Sequence, residues 1–148
     1  EILCDDFKGT TWNKVSLPGT KYQDEIIGYY YNKKRRILYN NDYYVANSIY
    51  ENSYLKGKDK YGVFLGGNYG LVEIEGKGEG NLLIIKDSFA NSFVPFLIDD
   101  YAKIIMVDLR YYMGDINLLT ESENIDRILV MYQFTNFISD ENLIKLVF

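Results

Sequence analysis

The sequence predicts an α/β fold, with a parallel sheet in residues 81–148 preceded by a β-rich, tyrosine-rich segment over residues 1–80. Three observations predict it. Short apolar runs at 82–85, 104–107 and 128–131 alternate with helix-like segments at 89–101, 115–123 and 140–146. Such alternation implies parallel strands joined by right-handed crossovers. The runs are continuously apolar, as in strands covered on both faces. Most of the fifteen tyrosines fall in the first half, and tyrosine suits pleated, half-buried surfaces. At 148 residues, one domain with a core large enough to fold alone is expected.

Taken in order, residues 1–7 open with a short strand. Pro18-Gly19 and Asn40-Asn41 are turn signals. Residues 25–31 and 37–39 read as paired strands across Lys33-Lys34-Arg35-Arg36, a solvated hairpin loop rather than a binding patch. Residues 47–55 fit either a short strand or a loop. The apolar run 61–65 ends at Gly66-Gly67-Asn68, and residues 71–74 alternate apolar and acidic like an exposed edge strand. Gly76, Gly78 and Gly80 mark a flexible turn. Leu82-Leu83-Ile84-Ile85 is then a buried strand running into Lys86-Asp87-Ser88, with Asp87 as N-cap of the next helix. Phe89, Phe93, Phe96 and Leu97 fall on one face of that helix, and Pro95 should bend it. The hairpins of the first half make a thin core, so they should pack on the α/β part or extend its sheet.

Composition excludes several functions. The net charge of −5 leaves no basic stripe for phosphates, which argues against a nucleic-acid partner. The single cysteine, Cys4, permits no internal disulfide and is expected as a small core residue. No zinc or iron–sulfur spacing occurs, and nothing calls for a cofactor. No apolar run approaches the ~20 residues of a membrane span. The chain starts at Glu1 with no signal peptide, so it is read as a processed product or a piece of a longer protein.

Polar groups fall just past the carboxyl end of each apolar run: Lys86-Asp87-Ser88, Asp108-Leu109-Arg110, and Tyr132-Gln133-Phe134-Thr135-Asn136. Open α/β sheets bind ligands at that edge. Neighbouring strands lie about 4.8 Å apart, so these groups can share one crevice. Ser88 is the candidate nucleophile, Arg110 a charge stabiliser, and Tyr132 or Asn136 a hydrogen-bond donor. The structural alternatives are a helix-capping serine, a local Asp108–Arg110 ion pair and a turn-shaping Asn136. The sequence contains no histidine, so no imidazole base for Ser88 lies within it.

The segment Leu83-Ile84-Ile85-Lys86-Asp87-Ser88-Phe89-Ala90-Asn91-Ser92-Phe93-Val94-Pro95-Phe96-Leu97 resembles the serine block of the DHHW family of bacterial surface proteins, relatives of the SGNH hydrolases and alginate O-acetyltransferases. The resemblance continues through Val107-Asp108-Leu109-Arg110-Tyr111-Tyr112 and reaches back through Lys58-Asp59-Lys60-Tyr61-Gly62-Val63-Phe64-Leu65-Gly66-Gly67-Asn68. With Ile128-Leu129-Val130-Met131-Tyr132 and Asn136-Phe137 it covers roughly residues 47–148. It implies an SGNH-like, flavodoxin-like three-layer fold in circularly permuted order. It also implies Ser88 as the family serine and Arg110 as the arginine after the second strand, with Tyr132 and Asn136 in the third block. The family's Asp-His-His-Trp type motif is missing; the only tryptophan, Trp12, stands in Thr10-Thr11-Trp12-Asn13.

The resemblance thus implies the serine-bearing carboxyl-terminal portion of an O-acyl esterase or O-acetyltransferase. Its substrate would be an O-acylated cell-surface glycan or an acyl donor. Its location would be the cell envelope, with any membrane attachment through an anchor upstream. The alternative is a non-catalytic glycan-binding or interaction module, favoured by the absent histidine and the many tyrosines. A phosphate or nucleotide binder is the weakest reading, because Gly66-Gly67-Asn68 precedes an edge-like strand rather than a helix.

Overall fold

The computed structural model describes residues 1–15, 23–30, 34–40 and 44–147. The turn signals Pro18-Gly19 and Asn41, and Lys33 of the basic run, lie outside them. The described residues cluster into two units, 1–34 with 48–67 and 35–47 with 68–147.

In the first unit, β1 (Ile2–Phe7) pairs antiparallel with β2 (Asp24–Ile27), and α1 (Thr10–Val15) lies between them in sequence. The expected pairing of 25–31 with 37–39 does not form. Gly28 ends β2 and is tied to Glu1 from both sides: its N–H donates to the Glu1 carbonyl at 2.8 Å, and its carbonyl accepts from the chain's amino group at 3.0 Å. Residues 47–55 form neither a full strand nor a plain loop. Tyr50 makes a single antiparallel bridge to Phe64, and Asn52–Lys56 is a 3-10 turn. The Tyr50 ring packs 5.9 Å from Phe64, both buried, and 5.0 Å from the half-exposed Tyr30. Cys4 is half-buried rather than a core residue, and its thiol donates to Asp6.

The second unit is a six-stranded mixed sheet. Its strands are β3 (Ile37–Tyr39), β4 (Tyr44–Ala46), β5 (Leu71–Glu75), β6 (Asn81–Lys86), β7 (Lys103–Val107) and β8 (Arg127–Met131), in the order β4-β3-β5-β7-β6-β8. Two helices, α2 (Ile116–Ser122) and α3 (Phe134–Ser139), flank β8 in sequence. The three expected parallel strands are parallel: β6 pairs with both β7 and β8. The sheet does not stop there. β5 joins β7 antiparallel, and β3 and β4 follow, so part of the first half extends the sheet. Helices are few and short.

β5 is an interior strand, not an exposed edge. Glu73 is tolerated there because Lys103 on β7 meets it at 2.6 Å, and the same ammonium meets Glu123 at 2.6 Å. The glycine-rich turn is tightly packed: Gly76 and Gly78 donate to the carbonyls of Ala102 and Tyr101 at 2.8 and 3.0 Å. A Cβ on Gly76 would collide with the Tyr101 carbonyl. The basic run is engaged, not merely solvated: Arg35 pairs with Asp99, and Arg36 with Glu75 at 3.2 Å.

The helix expected over 89–101 is instead two 3-10 turns, Ser88–Ser92 and Val94–Phe96. Pro95, inside the second turn, supplies no N–H for a continuing α-helix. The buried side is Ala90, Val94 and Ile98, while Phe89, Phe93 and Phe96 face outward. The i, i+4, i+8 aliphatic spacing, not the aromatic one, marks the packed face. α2 starts where expected, with Asp115 accepting from the N–H groups of Asn117 and Leu118. Residues 141–146 form a 3-10 turn capped by Asp140. β6 and β7 are buried along nearly their whole length, but β8 is a sheet edge with Ile128 and Val130 exposed. One core face joins Leu83 and Ile85 to Leu71, Ile105 and Val107. Among the described residues no helix is long and apolar enough to cross a membrane, and no side-chain cluster could hold a metal ion.

Candidate functional site

The site is built where the three parallel strands end. Their register pairs Ile85 with Val107 and Lys86 with Met131, so the carboxyl ends are level.

Asp87 joins the first strand to the third. It is buried, and its Oδ1 accepts from the Phe89 N–H at 2.9 Å, capping the turn that begins at Ser88. Its Oδ2 accepts from the Gln133 N–H at 2.9 Å and from Asn136 Nδ2 at 2.7 Å. Gln133 in turn caps α3 by accepting from the Asn136 N–H at 2.9 Å. Charge-assisted bonds of this length are among the stronger ones in proteins. The expected capping role of Asp87 is present, and a cross-strand clamp is added to it.

Asp108 organises the second strand end. It is fully buried and holds Arg110 from two sides, with Nε to Oδ1 at 2.9 Å and Nη2 to Oδ2 at 2.7 Å. This local ion pair fixes the guanidinium and holds its pKa above the ordinary arginine value. About a third of the Arg110 side chain stays exposed. Lys86 lies beneath, only 1% exposed. Its ammonium donates to Asn91 Oδ1 at 2.9 Å and stands 3.7 Å from Asp108 Oδ2. Asn91 passes the chain of bonds to Asn68 at 3.2 Å. Burial lowers the Lys86 pKa to about 8 against the pull of Asp108, and the nearby Arg110 charge pushes the same way as burial.

Tyr132 begins the third strand end. Its ring meets Phe137 edge-on at 6.0 Å. Its hydroxyl is buried and has no hydrogen-bond partner among the described residues. Burial, with Asp140 next, raises its pKa.

These residues frame a cleft of about 330 Å³, lined by Asp87, Arg110, Tyr132 and Asn136 together with residues 139–142. Of the residues predicted from sequence, Arg110, Tyr132 and Asn136 are brought together. Ser88 is half-buried at the first position of its 3-10 turn, one residue on from Asp87 and outside the cleft lining. Asn136 spends its amide on Asp87, which makes it a positioning group. Sequence reasoning missed the burial of Lys86 and the place of Asp140 in the cleft lining. The first had a signal: the register that pairs Ile85 with Val107 sets Lys86 beside Asp108.

Fold and site together define a mixed α/β protein with a polar cleft at the carboxyl ends of three parallel strands. Residues 9–107 match the family described as DHHW protein, and the chain belongs to that family. The match reaches further back than the resemblance read over 47–148 and includes Ser88, but it ends at Val107, so Arg110, Tyr132 and Asn136 lie outside it. Three solved structures are similar. A DHHW family protein from Eubacterium siraeum is 24% identical with a TM-score of 0.71, over 84% of this chain and 43% of that one. Bacillus cereus PatB1 with a sulfonyl adduct is 25% identical with a TM-score of 0.55, over 71% and 38%. A further PatB1 structure is 22% identical with a TM-score of 0.59, over 80% and 45%. The chain thus spans less than half the length of these solved relatives. No curated protein matches it.

Proposed function

We propose that the chain is the serine-bearing part of an SGNH-like acyl-transfer enzyme with the three-layer SGNH arrangement. It would be an O-acyl esterase or O-acetyltransferase acting on a cell-surface glycan. The observation that carries the reading is the level meeting of three parallel strand ends at one polar cleft, with Ser88 beside Asp87. Ser88 Oγ attacks the acyl carbonyl. Arg110, fixed by Asp108, supplies positive charge for the oxygen that becomes an oxyanion. Asn136 positions the third strand end, and the Tyr132 hydroxyl is its remaining donor. An imidazole proton acceptor would have to come from outside these residues, since they contain no histidine. Sulfonyl reagents transfer to nucleophilic side chains, so the adduct in a PatB1 structure supports a reactive nucleophile on a related fold. The family resemblance supports a location in the cell envelope.

The test is acetate release from an aryl acetate by the complete gene product, with and without Ser88→Ala. Removing the nucleophile of such a constellation typically costs several orders of magnitude. Equal release by both proteins overturns the assignment. The absent histidine favours a second reading, a non-catalytic glycan-binding module on the same scaffold. Saturable glycan binding by a complete product that releases no acetate is its signature.

A further inference from the structure

We propose that Lys86 is a positioning residue for acyl transfer: its buried ammonium ties the turn that carries Ser88 to the carboxylate that holds Arg110, and so sets nucleophile and positive charge relative to one another. The inference rests on the acyl-transfer reading above. It adds a side chain that is sealed from the cleft and acts through its neighbours.

The ammonium faces two ways. On one side it donates to Asn91 Oδ1 at 2.9 Å, a bond that spans residues 86–91 with Ser88 between its ends. Asp87 caps the same turn by accepting from the Phe89 N–H at 2.9 Å, and Asn91 Nδ2 donates onward to Asn68 Oδ1 at 3.2 Å. The serine therefore sits on a turn fixed before and after it. On the other side the ammonium stands 3.7 Å from Asp108 Oδ2, the oxygen that also accepts from Arg110 Nη2 at 2.7 Å. Lys86, Asn91 and Asp108 are all buried, so water does not compete for these contacts, while part of Arg110 stays exposed and lines the cleft.

Neither buried carboxylate needs Lys86 as a partner. Arg110 engages both oxygens of Asp108, and Asp87 accepts from Phe89, Gln133 and Asn136. Burying an ammonium is unfavourable, and an apolar side chain of similar length fills such a space without that penalty. What the lysine adds is the link. A link of this kind matters because a misplacement of about 1 Å between reacting groups costs on the order of a hundredfold in rate. The charges that face Lys86 are Asp108 and Arg110 from the end of β7, with Asp87 beside it; its register partner on β8 is Met131, and Asn91 and Asn68 are uncharged. Its pKa of about 8 makes the link titratable under mild conditions.

The test uses the complete gene product. In the unmutated protein, labelled with carbon-13, the Ser88 Cβ, Asn91 Cγ and Arg110 Cζ signals should shift with one shared midpoint near pH 8. Lys86→Met should abolish that step at all three. On an aryl acetate, Lys86→Met, folded by circular dichroism, should lower kcat by about tenfold or more while KM stays within about threefold. Asn91→Leu frees the turn but leaves the Lys86–Asp108 pair, so kcat should fall while the Arg110 step is retained. Separate midpoints in the unmutated protein, or a kcat for Lys86→Met within about threefold of the parent, overturn the proposal. The acyl-transfer reading is judged separately, by Ser88→Ala. If acetate release is unchanged in that variant, the reading falls and the link is decided by the titration alone. If Ser88→Ala abolishes release and Lys86→Met leaves it intact, the nucleophile stands and the positioning role falls.

Discussion

Replacing Asp87 by alanine removes the acceptor for three donors at once: the Phe89 N–H, the Gln133 N–H and Asn136 Nδ2. Each sits in a partly buried setting where water replaces the lost partner poorly. A hydrogen bond to a charged group contributes about 1.5–3 kcal/mol, and an unpaired buried donor costs about 1–3 kcal/mol. The solvated part of each donor and the relief of unburying a charge reduce the total, which leaves about 3–5 kcal/mol. That is a large share of the roughly 5–15 kcal/mol that holds a domain together. Urea unfolding followed by circular dichroism measures it. With a slope near 2 kcal/mol per molar, the midpoint should fall by about 2 M. Asn136→Ala alone should cost about 1–2 kcal/mol, and the double variant should be clearly less than additive, because both remove the same 2.7 Å bond. A loss under 1 kcal/mol for Asp87→Ala, or additive losses in the cycle, would refute the clamp.

Three further outcomes follow from the same structure. Lys86 has a folded pKa of about 8 against 10.5, so between those pH values the unfolded chain holds a proton that the folded chain has released. Its contribution to stability therefore rises with pH across that window, by about 3 kcal/mol in all, and Lys86→Met should flatten the pH dependence of the unfolding midpoint there. Gly76→Ala forces a Cβ into the Tyr101 carbonyl and should lower the unfolding free energy by roughly 1–3 kcal/mol; an unchanged urea midpoint would show that the 98–102 segment yields easily. The β8 edge exposes Ile128 and Val130, so the 148-residue chain should self-associate with rising concentration in size-exclusion chromatography, and Ile128→Lys with Val130→Lys should suppress it.

The parallel part of the fold was legible because its strands are continuous apolar runs: 82–85, 104–107 and 128–131 all fall within β6, β7 and β8. The sheet around them was less legible, for electrostatic and packing reasons. Glu73 and Glu75 made β5 look exposed, yet Lys103, distant in sequence, neutralises Glu73 from the next strand. Apolar spacing put Phe89, Phe93, Phe96 and Leu97 on one face, but the residues buried are Ala90, Val94 and Ile98. Pairing of β2 with β1 rather than β3 is closed at one end by the Gly28–Glu1 contact, a long-range closure that local pattern does not encode. At the site, Arg110, Tyr132 and Asn136 were found from their place after apolar runs. Asp87 was read only as a cap, because a carboxylate shared between two strand ends looks in sequence like any other N-cap. Asp140 sits in a segment read only as helix, so its place in the cleft lining was invisible.

Mass spectrometry of the complete gene product after treatment with phenylmethylsulfonyl fluoride tests the acyl-transfer account most directly. The account requires one sulfonyl group on Ser88, lost in Ser88→Ala and slowed by Arg110→Ala, with acetate release falling in step with labelling. Full acetate release from protein left unlabelled at Ser88, or labelling confined to other residues, would contradict it.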